Sequence, residues 1–153
     1  VILSIIQSAD LKFNPLFTAT PHVFVSRDNP LARRDAVALE DLKDFPRLTY
    51  EQGINNSFYY AEELHSTEES PKSILVTDRA TLFNLLIGLN GYTLCSGIIC
   101  EELNGSDYIA VPFHDSNPEE DSAMEIGYIT RKNVLLSQMG ERYIEEIRKY
   151  LKL

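Results

Sequence analysis

Residues 21–50 read PHVFVSRDNPLARRDAVALEDLKDFPRLTY, and their punctuation decides the fold. An apolar stretch, Val23, Phe24 and Val25, runs as a strand into a polar turn closed by Asn29-Pro30, where the proline fixes φ and pushes the asparagine out of helix. Val37, Leu39, Leu42 and Phe45 then recur at roughly helical spacing, with Glu40, Asp41, Lys43 and Asp44 between them. Pro46 stops that short helix before a second strand, Arg47 to Tyr50. Strand, turn, helix and strand in one short segment indicate an α/β domain.

Working outward, hydrophobic runs predict strands at 3–6, 17–26, 47–50, 73–77, 92–95, 108–112 and 125–131. Helices are expected between them, over 57–65, 79–89, 98–103 and after Ser137. Apolar residues nearly encircle the 79–89 segment, so burial on several sides is expected there. Alternating strands and helices argue for an open, largely parallel sheet covered on both faces. Two polar stretches, Gln7 to Asn14 and Asp115 to Ser122 (DSNPEEDS), read as surface connections. They divide the chain into an end strand and crossover (1–14), a lobe (15–114), and a return with a C-terminal helix (115–153).

The turn Asn29-Pro30-Leu31-Ala32 followed by the helix Val37-Ala38-Leu39-Glu40-Asp41-Leu42 resembles the central stretch of LysR-type transcriptional regulators. There a His-Pro-Leu-Ala-like turn precedes a Val-x-Leu-x-Asp-Leu helix and a Pro-ended strand; here asparagine stands in place of histidine. The resemblance extends over nearly the whole chain, through the Thr-Asp-opened apolar helix ending near Gly91, the strand from Tyr92 to Cys95 and the C-terminal amphipathic helix. It implies a C-terminal effector-binding domain of the periplasmic-binding-protein-like type II fold, two Rossmann-like lobes of which one is complete here and the other partial. It also implies a DNA-binding helix-turn-helix in an absent N-terminal part, and dimers or tetramers of the full protein. On this reading Val1 to Ile6 and Glu125 to Arg131 carry exposed edges prone to swapping or dimer pairing.

Composition is consistent with such a domain. The 153 residues are 44% apolar, enough for a core, and no apolar run approaches the length that crosses a bilayer. The chain opens on Val1 in what reads as a strand, so it is expected to start inside a larger protein. The two cysteines, Cys95 and Cys100, have no neighbouring histidines or second pair, which favours reduced thiols and a cytoplasmic protein. A net charge of −9 with scattered Lys and Arg argues against nucleic-acid binding by this piece.

Ligands of open α/β sheets sit beyond the carboxyl ends of strands, where loops run into helix starts. Three such places are legible: Gly53, Ile54, Asn55, Asn56 and Ser57; Thr77 with Asp78; and Gln7 with Ser8. Gly53 lets backbone approach a ligand, and free amides at a helix start favour an anion. Each has a plainer reading, since Asn55, Asn56, Ser57 and Asp78 are ordinary helix caps and Arg79 an ordinary surface charge. The LysR resemblance matches Gln7, Ser8 and the 53–56 loop to the cleft between lobes. The effector expected there is a small molecule such as an amino-acid-like or other small carboxylate, with no cofactor and no metal.

No nucleophile elbow, P-loop, dinucleotide fingerprint or metal-spaced set occurs, and His22, His65 and His114 lie far apart in sequence. An enzyme is therefore not expected. The alternative is a solute-binding protein of a transporter, which shares the two-lobed architecture; a two-lobed dehydratase or deaminase would need catalytic groups from outside this chain.

Overall fold

The structure is a computed structural model and describes residues 10–50, 70, 72–114 and 123–153. The expected strand at 3–6, the helix at 57–65 and the 115–122 connection lie outside the described residues. The chain divides into two compact units, Thr20–Met124 and a second made of Val1–Ala19 with Glu125–Leu153.

Thr20–Met124 is built on a six-stranded sheet. Its strands are β2 (His22–Ser26), β3 (Val37–Ala38), β4 (Arg47–Tyr50), β5 (Ser73–Val76), β6 (Tyr92–Cys95) and β7 (Tyr108–His114), in the order β3-β7-β2-β6-β4-β5. β4 runs parallel to β5 and β6, β3 runs parallel to β7, and β2 is antiparallel to both β6 and β7. Five strands thus share one direction and β2 alone opposes them, so the sheet expected to be largely parallel is mixed at its centre.

Period-two alternation in β2 explains why it lies there. Val23 and Val25 join Leu31, Val37, Leu42, Tyr92, Val111 and Phe113 in one core. Phe24 points to the opposite face, into a core with Leu48, Val76, Leu82 and Leu86. A strand with apolar residues on both faces must be covered on both. Helix α2 (Arg79–Gly88) covers the second face through Leu82 and Leu86; Ile87 and Leu89 remain about half exposed. That helix was expected to be buried on several sides, but it packs on one stripe because it lies on the outer surface of a single sheet.

Asn29, the residue that replaces histidine in the diagnostic turn, is fully buried. Its Oδ1 accepts from the Leu31 amide at 2.9 Å, capping a 3-10 turn over Pro30–Arg33, and its Nδ2 donates to the Asn90 carbonyl at 2.9 Å. Asn90 sits at φ 56°, in the left-handed region, so this bond ties the turn to a constrained loop between α2 and β6. The asparagine is an architectural rivet.

Several element boundaries differ from expectation for local reasons. The segment 37–45 opens with two residues of strand, because Val37 and Ala38 pair with Phe113 and His114; the helix left after them, α1 (Leu39–Leu42), is a single turn. The strand expected over 17–26 breaks at Thr20-Pro21 into β1 (Leu11–Ala19) and β2. Proline donates no ladder bond there, and the Pro21 carbonyl instead accepts from the Phe113 amide at 3.0 Å. Residues 11–14, expected as polar connection, are therefore strand. Helix α3 (Glu101–Asn104) starts later than 98.

In the second unit β1 pairs with β8 (Met124–Arg131) as a two-stranded sheet. Asn14 Nδ2 donates to Thr130 Oγ1 at 3.1 Å, and Gly127 comes so close to the Asn14 carbonyl that a side chain there would collide with it. Helix α4 (Gln138–Leu151) is capped by Ser137, whose hydroxyl accepts from the Gly140 amide at 3.2 Å.

Candidate functional site: the carboxyl edge of the six-stranded sheet

Because β3, β4, β5, β6 and β7 run the same way, their carboxyl ends gather on one edge, where β2 begins. Tyr50 ends β4, Thr77 and Asp78 follow β5, Ser96 and Gly97 follow β6, and His22 starts β2 opposite Cys95 and Pro112. Thr77, Asp78 and Arg79 are exposed. Gly97 is at φ 77°, and any side chain there would run into the His22 imidazole, so the turn after β6 requires glycine. His22 Nδ1 lies 2.9 Å from the Thr20 carbonyl.

Asp78 works as the cap of α2. One carboxylate oxygen accepts from the Thr81 amide at 2.8 Å and the other from the Thr81 hydroxyl at 2.7 Å. These bonds hold the carboxyl below its ordinary pKa, the backbone amide of Thr81 contributing most. Its own negative charge thus occupies the helix start, where an incoming anion would otherwise bind.

The positive charge lies one residue on. Arg79 donates to Asn104 Oδ1 at 3.1 Å and spreads its guanidinium over the Phe83 ring, 5.0 Å from the centroid. No carboxylate among the described residues pairs with it. An arginine in the first turn opposes the helix dipole, so its position rests on these two contacts.

Behind the edge, beneath α2, lies a cavity of about 250 Å³. Tyr50, Arg79 and Ser96 line it at the strand ends, and Phe24, Leu82, Phe83 and Thr93 line it further in. Phe24, Phe83 and Tyr108 form one aromatic cluster, with ring centroids 4.6 to 5.7 Å apart. Cys95 also faces the cavity; burial pushes its thiol pKa up, against a partly opposing hydrogen bond from the Gly97 amide.

Of the residues singled out from sequence, Thr77 and Asp78 stand together at this edge. Gln7, Ser8, Gly53, Ile54, Asn55, Asn56 and Ser57 lie outside the described residues. Sequence reading passed over Arg79 as a surface charge and missed the Ser96-Gly97 turn, although it too directly follows a strand, as the other tips do. The cavity residues carry no motif, since they are drawn together from β2, β4, β6 and α2 only by folding. Among the described residues no three His, Cys, Asp or Glu side chains are grouped to hold a metal, and no helix is long and apolar enough to cross a membrane.

The sequence matches the LysR substrate binding domain over residues 1–152. The chain belongs to the LysR substrate-binding-domain family. LysR relatives are also found by structure. The effector-binding domain of QuiR in complex with shikimate superposes with a TM-score of 0.58 at 18% identity, covering 94% of this chain and 66% of that one. The BenM effector-binding domain with its effector benzoate gives 0.61 at 20% identity, covering 94% and 65%. The reduced form of OxyR gives 0.60 at 22%, covering 95% and 66%. At such identity these likenesses concern the fold, which is the periplasmic-binding-protein-like type II fold expected from the sequence. This chain spans about two thirds of those chains and 48% of full-length BenM. No curated protein matches significantly. The family match is to a LysR substrate binding domain, in line with the resemblance read from the sequence.

Proposed function

We propose that this LysR domain senses a small carboxylate at the carboxyl edge of its six-stranded sheet and so controls transcription through a DNA-binding helix-turn-helix elsewhere in the full protein. The observation that supports the reading most is the gathering of five strand ends on one exposed edge in a member of a sensory family. Thr77 supplies a neutral hydrogen-bonding side chain, and Asp78 fixes the start of α2 beside it. Gly53, Ile54, Asn55, Asn56, Ser57, Gln7 and Ser8, which lie outside the described residues, are the further ligand contacts that the sequence suggests. Shikimate and benzoate, bound by QuiR and BenM, are both small ring carboxylates, in keeping with that class.

The reaction is binding, without turnover, cofactor or metal. The ligand must favour a closed arrangement of lobes over an open one, since equal affinity for both shifts nothing. Closure alters subunit packing in a cytoplasmic dimer or tetramer, and with it the spacing of the DNA-binding heads. Isothermal titration of the full-length regulator with a panel of small carboxylates tests this: Asn55→Ala and Ser57→Ala are expected to weaken the binding carboxylate roughly tenfold each. Unchanged affinity in both variants removes the loop from the site.

A further inference from the structure

We propose that the cavity beneath α2 is a second small-molecule site, contained within the Thr20–Met124 unit, that takes a compact aromatic monocarboxylate. The proposal rests on the cavity alone and stands whatever becomes of the 53–57 loop.

The lining offers a partner to both parts of such a ligand. Phe24, Phe83 and Leu82 supply an apolar lining. The two rings meet edge to face, 5.7 Å between centroids, and a further ring added to such a cluster finds the offset or tilted contacts that aromatics prefer. Arg79 carries a guanidinium with one donor spent on the neutral Asn104 and no carboxylate partner among the described residues. Ser96, Thr93 and Asn104 add neutral polar groups, and among the described residues no acidic side chain lines the cavity. A cation is therefore disfavoured, and an anion is offered the fork geometry that suits a carboxylate.

Size completes the assignment. About 250 Å³ exceeds the roughly 150 Å³ that holds a benzene ring, so one ring with a short acid arm fits. The guanidinium lies over Phe83, so the charged group adjoins the apolar lining.

Three probes separate ring from charge on the full-length protein: phenylacetate, its neutral isostere phenylacetamide, and acetate, which lacks the ring. Phenylacetate is expected to bind at least tenfold more tightly than either of the others. Arg79→Gln, a change at an exposed side chain, is expected to bring phenylacetate down to the affinity of phenylacetamide while leaving phenylacetamide itself unchanged. Location is read by alkylation: Cys95 lines the cavity and Cys100 does not, so phenylacetate slows modification of Cys95 in peptide-level mass spectrometry and leaves Cys100 unaffected. Equal binding of acetate and phenylacetate, no binding of phenylacetate, or an Arg79→Gln protein that binds phenylacetate as before overturns the proposal. So does tight phenylacetate binding without protection of Cys95, which places the ligand elsewhere.

Discussion

Helices α2 and α4 form an instructive pair. α2 is apolar around most of its circumference, yet it buries only Leu82 and Leu86, and it starts at the carboxyl edge of the sheet. α4 has the cleaner amphipathic pattern, with Met139, Tyr143, Ile144, Ile147 and Leu151 on one side, yet none of its residues is buried, and Met139 is 75% exposed. Amphipathic pattern sets which face a helix would bury, but only a neighbouring layer buries it. α2 has a six-stranded sheet for that layer, whereas the described sheet of α4's unit has two strands, too few for independent stability.

The sharpest way to break this contrast is to remove matched apolar side chains. Leu86→Ala, at a fully buried position, is expected to cost about 2–5 kcal/mol in denaturant unfolding, and Met139→Ala to change stability by no more than about 0.5 kcal/mol. Comparable losses would mean that α4 is covered in solution by something outside the described residues. Next in size, Asn29→Ala leaves the Asn90 carbonyl and the Leu31 amide without their partner, an expected loss of about 1–3 kcal/mol by the same assay.

Caps give smaller effects that sharpen the comparison. Ser137→Ala removes the cap of α4 and is expected to cost about 0.5–1 kcal/mol, with faster amide exchange confined to the start of that helix. Asp78→Ala does the same for α2 with a pH signature. The folded carboxyl titrates below its unfolded value, so its stabilisation is complete above about pH 4 and is lost as pH falls through the lower folded pKa. The deficit of Asp78→Ala in thermal melts is therefore expected at neutral pH and should shrink toward zero in stronger acid. A deficit that persists unchanged at low pH would mean that the carboxylate's charge plays no part in the cap.

These details mark where sequence was legible. The 21–50 stretch announced its strand, turn and strand because proline and apolar runs act locally, and the family resemblance it carried holds across the chain. The single reversed strand, the short Val37–Ala38 pairing and the one-sided burial of α2 were not legible, because each depends on which strand lies alongside. The site divides the same way: Thr77 and Asp78 follow from a strand running into a helix cap, whereas the cavity joins Phe24 to Phe83 and Arg79 across more than fifty positions of sequence.

The most direct test of the sensory reading is hydrogen exchange measured by mass spectrometry on the full-length regulator, with and without the carboxylate that titration selects. The account predicts that added protection concentrates on peptides holding the strand ends, 50–57 and 77–79, while the Leu86 region of α2 changes little. Protection confined to α4 and β8, or none at saturating ligand, would contradict it.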